Sequence, residues 1–120
     1  MMAGKARLGY LSIAFWNIDG VVYVLNNKRF SKLDVPEVID NITKHEIICL
    51  AETHCGYDAN ISLEGYSTVN NVRPKSPKAK KFSGGLAFLV KDNIKNGISF
   101  IPASDSEMMW LRLYVNLFST

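Results

Sequence analysis

Glu52 and His54, two side chains that could transfer protons or bind a metal, directly follow the apolar run Ile47 to Ala51. An ionised carboxylate is costly to bury without a partner, so something must offset that cost at Glu52. A hard cation, a basic partner such as His54, or exposure at the end of a strand would each do so. If the strand continues, Glu52 and His54 share one of its faces, because side chains alternate with a period of two. The residue types alone leave all three explanations open.

The available ligand types favour Mg²⁺ or Mn²⁺ over zinc as the cation. The chain has two histidines and two cysteines, a poor supply for a zinc site that needs three or four nitrogen and sulfur ligands. Mg²⁺ needs only one or two carboxylates, together with water and substrate phosphate oxygens. Glu52 beside an amide such as Asn17 is sufficient for such a site. No nucleophile with a paired base is visible, so covalent catalysis has no candidate.

A basic segment that could meet a polyanion spans residues 73–81, with the sequence RPKSPKAKK. It has two prolines and no acidic residue, which predicts a loop. Its positive charges could neutralise backbone phosphates and would make binding salt-dependent. They are Arg73, Lys75, Lys78, Lys80 and Lys81. A solvated hairpin tip is an equally good interpretation of this composition.

Strands and a helix with short connections must position these residues. Leu8 to Ile18 is rich in β-branched and aromatic residues and leads into the turn signal Asp19-Gly20, which predicts a first strand carrying Asn17. A helix is predicted at 35–44 from apolar residues at helical spacing, with a capping box formed by Asp34 and Glu37. The apolar run before Glu52 predicts a strand buried on both faces. Asn17 and Glu52 then lie at the C-terminal ends of strands, where α/β sheets gather their chemistry.

Further strands are predicted after this unit. Val21 to Leu25 is a short strand or the start of a loop, and the remaining candidates are Tyr66 to Val69, Gly84 to Lys91, Ile98 to Ile101 and Met108 to Leu117. Strands therefore outnumber helices, with a single well-defined helix.

The whole chain, 120 residues with 48% hydrophobic content, predicts one domain or part of one. Its net charge of +3 is compatible with a polyanionic partner but does not demonstrate one. Cys49 and Cys55 are too few for a disulfide framework, so we expect both to be reduced in an intracellular protein, nuclear or cytoplasmic. No apolar stretch approaches the roughly 18 residues that cross a bilayer, so we expect a soluble chain without a membrane partner.

Motifs in order along the chain resemble the endonuclease/exonuclease/phosphatase superfamily. They are WNIDG at 16–20, IICLAETH at 47–54, FSGGLAFLVKDNI at 82–94 and MMWLRLYV at 108–115. The chain is most similar to the apurinic-type endonuclease domain of non-LTR (LINE-type) retrotransposons, and pancreatic deoxyribonuclease and the inositol polyphosphate phosphatases share that fold. The resemblance implies an α/β fold, a four-layered sandwich of two packed mixed β-sheets with outer helices. It also implies hydrolysis of nucleic-acid phosphodiesters, with DNA as the expected partner, by means of Mg²⁺ or Mn²⁺.

The resemblance also implies roles for individual residues. Asn17 would help to arrange the metal and the scissile phosphate, and Glu52 would bind the metal. His54 occupies a position near the substrate and would have a supporting part. The loop at 73–81 would meet the nucleic acid.

The later motifs of the superfamily have no counterpart before Thr120. These are a tyrosine on a following strand, a GDFN-like segment and a terminal S-D-H segment that supplies the acid/base histidine and its aspartate. We therefore expect residues 1–120 to be the N-terminal half of a catalytic domain, inactive alone, with an exposed core that invites association or needs a complementing C-terminal half. The alternatives are a non-catalytic remnant or interaction module, and a phosphatase acting on inositol or lipid phosphates.

Overall fold

A mixed β-sheet lies at the centre of the structure, a computed structural model that describes residues 11–101 and 105–114. In chain order the strands are β1 (Ile13–Asn17), β2 (Val22–Leu25), β3 (Lys28–Ser31), β4 (Ile47–Ala51), β5 (Tyr66–Asn71), β6 (Leu86–Lys91), β7 (Ile98–Ile101) and β8 (Trp110–Leu113). One α-helix, α1 (Pro36–Ile42), and two 3₁₀ turns (Lys32–Asp34 and Lys95–Gly97) complete the elements in these ranges. The fold class is mixed α/β and mostly sheet, as predicted.

The order of strands in the central sheet is β1-β4-β6-β5. Strands β1 and β4 are parallel, whereas β6 is antiparallel to both β4 and β5. Ala51 is the register partner of Asn17 on one side and of Leu86 on the other, and Leu86 also faces Asn71. The last residues of β1, β4 and β5 and the first residue of β6 therefore lie along one edge, here called the site edge.

The connection from β1 to β4 contains a hairpin and the helix. Strands β2 and β3 pair across Asn26 and Asn27, whose φ angles of 53° and 64° suit a tight hairpin turn. The sequence interpretation placed a strand or loop at Val21 to Leu25 and missed β3, because the polar stretch KRFS has no alternating apolar pattern. Strands β1 and β4 pair in parallel, so this connection is a crossover.

Helix α1 is shorter than the predicted range of 35–44, and the predicted capping box is wrong. The N-cap is Val35, which makes no side-chain cap hydrogen bond. Asp34 lies inside the preceding 3₁₀ turn, where it cannot take the extended backbone of an N-cap residue. Pro36 is the first helical residue, as expected for a position whose missing N–H has no intrahelical acceptor.

One face of the central sheet forms the main core. Side chains of β4 and β6, namely Ile48, Leu50, Ala87 and Leu89, form the sheet side of this core. They pack against Ile42 of the helix and against Ile61 and Leu63 in the segment that follows β4. Strand β4 is fully buried on this face and partly buried on the other, which confirms in part the prediction of a strand buried on both faces.

The opposite face of the sheet is only partly covered. Ile47 and Val90 form a second cluster there with Ile98 of the β7–β8 hairpin. Nearer β1 the cover ends, and Ile13 and Phe15 are 54% and 72% exposed. An open groove of about 410 Å³ runs between this face and the segment before β8.

Several strand boundaries differ from those predicted. Strand β5 continues to Asn71, and β6 begins at Leu86 because Gly84 and Gly85 adopt φ angles of 63° and 94° that no extended strand allows. Strand β7 has the predicted bounds. The predicted first strand begins at Ile13, and its predicted residues 8–10, like residues 115–117 of the last strand, lie outside the described ranges. Within those ranges, no helix has the length and apolar character needed to cross a membrane.

Both cysteines are free thiols, as predicted. Burial raises the pKa of Cys49, and it also raises the pKa of Cys55 against the smaller opposing effects of Thr53 and Arg29. The folded chain therefore holds the thiol protons more tightly than the unfolded chain does. The contribution of the protonated thiols to the free energy of unfolding is therefore fully present below the ordinary thiol pKa of 9.0 and is lost as the pH rises above it.

We expect the free energy of unfolding to fall above pH 9, by at most about 1.4 kcal/mol per pH unit for each thiol. Urea denaturation at several alkaline pH values measures this fall. The double variant Cys49→Ala, Cys55→Ala should show a shallower decline. An identical decline in the variant would assign the effect to other groups, such as Tyr66, whose pKa is also raised by burial.

Candidate functional site

The backbone brings Asn17 and Glu52 to neighbouring positions on the site edge. The ladder between β1 and β4 continues past their ends, since the amide of Ile18 donates to Ala51 at 3.0 Å and the amide of Gly20 donates to Glu52 at 2.7 Å. Neighbouring strands are separated by about 4.8 Å. The parallel pairing therefore places the two predicted ligands side by side in the chain trace, although they are far apart in the sequence.

Residues 52–54 are held from both sides by hydrogen bonds. The carbonyl of Thr53 accepts from Val21 at 3.0 Å. On the other side, the amides of Thr53 and His54 donate to Gly85 and Gly84 at 3.2 and 2.8 Å. The loop after β1 and the loop before β6 thus fix the backbone that carries Glu52 and His54.

Glu52 and His54 both have φ angles of 57°, in the left-handed region that non-glycine residues rarely adopt. Strand β4 ends at Ala51, so the condition under which Glu52 and His54 would share a face of a continuing strand is not met. Their side chains nevertheless meet, with 3.6 Å between Nε2 of His54 and Oε1 of Glu52. Such backbone conformations cost free energy and cluster at functional sites, which supports a functional hypothesis for this segment.

The imidazole of His54 packs on Gly20, whose φ is 90°. A Cβ at Gly20 would lie 3.2 Å from Nδ1 of His54, closer than most such contacts allow. The glycine of the WNIDG motif therefore serves the turn and also makes room for the imidazole.

Asn17 is exposed at the end of β1, and its side-chain oxygen accepts a hydrogen bond from the amide of Asp19 at 3.2 Å. The ammonium of Lys32 donates to the carbonyls of Ile18 and Asp19 at 2.7 and 3.0 Å. The side chains of Asn17 and Lys32 thus stabilise the turn after β1, and the hydrogen bond to Asp19 fixes the side-chain amide of Asn17 at the site edge.

Arg73 lies two residues beyond the end of β5, on the same edge. Its guanidinium packs so closely against Gly84 that a Cβ there would overlap Cζ of the arginine. It donates two hydrogen bonds to the carboxylate of Glu107, from Nε at 2.5 Å and from Nη2 at 2.8 Å. This pairing raises the pKa of Arg73, to which the charge of Glu52 adds, and lowers the pKa of Glu107.

The lysines of the basic loop are arranged differently from Arg73. Lys75 donates to the carbonyl of Ala79 at 3.3 Å and lies 5.8 Å from the ring centre of Phe82. All four lysines are exposed, namely Lys75, Lys78, Lys80 and Lys81. The segment is a loop with turns, as predicted. Arg73, its first residue, contacts Gly84 at the site edge through its guanidinium.

Sequence reasoning missed the structural part of Thr53. This residue is fully buried, and its hydroxyl has no hydrogen-bond partner among the described residues. A Cβ on Gly85 would overlap that hydroxyl. The signal was present in the glycine pair before β6, since paired glycines beside a strand indicate a close backbone approach.

The oxygen ligands offered at this edge are the Glu52 carboxylate and the Asn17 amide. The described ranges contain no group of three or more His, Cys, Asp and Glu side chains that could hold a metal ion by themselves. A site for Mg²⁺ or Mn²⁺ here would be completed by water and by substrate oxygens, as such sites commonly are.

Comparisons of the chain with protein-family models, with curated proteins and with solved structures found no match. The resemblance to the endonuclease/exonuclease/phosphatase superfamily therefore stays a prediction from the sequence motifs.

Proposed function

We propose that the site edge binds a divalent cation together with a phosphodiester of nucleic acid, in the manner of a metal-dependent endonuclease. The observation that carries the proposal is the juxtaposition of Asn17 and Glu52 at the ends of two parallel strands. Glu52 combines a half-exposed carboxylate, 42% accessible, with a left-handed backbone held by two loops. These features favour a metal-binding or catalytic role for the carboxylate over simple exposure at the end of a strand.

Glu52 and Asn17 would hold Mg²⁺ or Mn²⁺ through oxygen atoms, which these hard cations prefer. A bound divalent cation would stabilise negative charge on the phosphate oxygens and orient the phosphodiester. His54 faces the Glu52 carboxylate and can position it, forming an ion pair when the imidazole is protonated.

Positive charge near this edge supports a polyanionic partner. Arg73 lies beside Gly84 on the edge, and the exposed lysines of the adjoining loop can neutralise further phosphates. A nucleic acid presents phosphates in a row, which suits a charged loop next to a single reactive position. DNA is the partner proposed here.

The substitution Glu52→Gln tests the cation site. Loss of an outer-shell group typically costs about 10- to 100-fold in metal affinity, so loss of the ligand itself should cost at least about tenfold. Titration of the chain with Mn²⁺, followed by electron paramagnetic resonance without nucleic acid, measures the affinity. The amide is nearly isosteric with the carboxylate, and circular dichroism checks that the fold is retained.

Glu64→Gln is the matched control, because it removes one exposed carboxylate before the start of β5, away from the site edge. It should leave Mn²⁺ affinity unchanged within about twofold, as expected for a screened surface charge. Equal affinities of the wild type and Glu52→Gln would refute the cation assignment. A DNA affinity that is the same with Mn²⁺ and in EDTA would favour the non-catalytic interaction module instead.

A further inference from the structure

The pair formed by Arg73 and Glu107 lies at the site edge, but the proposed cation site does not use it. Both side chains are partly exposed, at 38% and 49% accessibility, so solvent and ions reach them. The guanidinium also packs on Gly84, to which Cζ, Nε and Nη1 are the nearest atoms. The pair thus presents a positioned guanidinium with two of its donor groups, Nε and Nη2, bound to a carboxylate of the same chain.

The turn that carries Glu107 is attached to the end of β5. The side-chain amide of Asn71 donates to the carbonyls of Ser106 and Met108 at 3.3 and 2.9 Å. Within the turn, the amide of Glu107 donates to the carboxylate of Asp105 at 2.8 Å. Asn71 can therefore retain the turn when the Glu107 side chain moves away from Arg73.

A guanidinium recognises carboxylate and phosphate through the same bidentate geometry. The Glu107 carboxylate therefore occupies the place that a phosphate would take on Arg73. An exposed ion pair contributes little to stability, so a phosphate can displace the carboxylate at small cost. Gly84 connects the two functions, because its carbonyl accepts a hydrogen bond from the amide of His54 at 2.8 Å and its backbone contacts the Arg73 guanidinium.

We propose that Arg73 binds a phosphate of the nucleic acid at the site edge and that Glu107 is an internal competitor, released when the phosphate binds. This inference rests on the proposed function, because it assigns the residue that receives the phosphodiester. It separates Arg73 from the lysines of its loop, which contribute charge without this bidentate geometry.

The test measures binding of a short fluorescein-labelled DNA duplex by anisotropy, in EDTA, so that no cation takes part. Glu107→Gln should tighten binding by about three- to fivefold, the range released by an exposed ion pair. Glu64→Gln makes the same change in net charge before the start of β5 and should alter the affinity by less than about twofold. Arg73→Lys should weaken binding, and Glu107→Gln should bring no gain in the Arg73→Lys background.

Nitrogen-15 NMR of the arginine Nε–H groups gives a direct readout, with the Arg73 signal assigned by its loss in Arg73→Lys. Titration of the wild type with the duplex should shift that signal, and a separate titration with inorganic phosphate shows whether phosphate alone is sufficient. A response to the duplex alone means that the site needs a diester in a nucleic-acid backbone, whereas a response to both identifies a general phosphate site.

Equal effects of Glu107→Gln and Glu64→Gln, with an unshifted Arg73 signal, would overturn the inference. The pair would then be a structural brace, and Glu107→Gln would lower the melting temperature without affecting DNA binding. Absence of DNA binding in all variants would overturn it as well. The Mn²⁺ titration is performed without nucleic acid, so failure of this inference leaves the cation assignment independently decided.

Discussion

Leu89→Ala is expected to lower the free energy of unfolding by about 3 to 4 kcal/mol, the middle of the range for a fully buried leucine. Leu89 is completely buried in β6, in the main core with Ile48 and Leu50. Its removal costs the transfer of the side chain and leaves a cavity that the sheet and helix cannot fill. A domain of this size has a total stability of roughly 5 to 15 kcal/mol, so the loss is a large fraction of it.

Urea denaturation followed by tryptophan fluorescence measures this effect. Leu25→Ala is the matched control, because Leu25 lies on the β2–β3 hairpin and is 57% exposed. We expect the control to change stability by less than about 0.5 kcal/mol, as surface substitutions usually do. Similar losses in both variants would contradict the assignment of Leu89 to the core.

Gly85→Ala is expected to destabilise the chain by about 3 kcal/mol and to weaken the candidate site at the same time, because two costs combine at this position. A left-handed backbone costs an L-residue about 1 to 2 kcal/mol, and Gly85 has a φ of 94°. The new Cβ would also overlap the Thr53 hydroxyl, and overpacking of this kind costs about 1 to 3 kcal/mol.

The two costs can be separated with variants of the same chain. Gly65 has a φ of 85°, and no described atom lies within 4 Å of the place that a Cβ would take, so Gly65→Ala measures the backbone cost alone. Adding Thr53→Ala to Gly85→Ala removes the hydroxyl and should recover most of the steric cost. Denaturation measures the stability of each variant, and Mn²⁺ titration measures the site. If Gly85→Ala costs no more than Gly65→Ala, the close packing of Thr53 on Gly85 is refuted.

Local sequence patterns predicted those elements whose apolar residues are also the ones that the fold buries. The apolar run of β4 and the stripe of α1 are set by burial, so both were visible in the sequence. Strand β3 was not, because its polar residues pair through the backbone with β2 and carry no alternating pattern. The helix start was predicted one residue early, with the wrong N-cap residue, because Asp34 lies in a 3₁₀ turn in which Leu33 is buried.

The candidate site was predicted in part for similar reasons. The juxtaposition of Asn17 and Glu52 was predictable, because the ends of parallel strands in one sheet meet on one edge. The pairing of Arg73 with Glu107 was not predicted, since these residues are 34 positions apart and join only after the β7–β8 region folds back. The left-handed backbone at Glu52 and His54 was also missed, because no local residue preference favours it.

The position of β1 at the margin of the central sheet has a consequence for ligand affinity. Within the described chain, β1 has a sheet neighbour on one side only, whereas β4 is paired on both sides. Local opening is easier for a peripheral strand with solvated side chains, so Asn17 lies on a strand that opens more readily than β4, which Glu52 follows. A ligand that contacts both residues binds only the molecules in which β1 is paired with β4, and its binding therefore shifts the equilibrium toward this paired state.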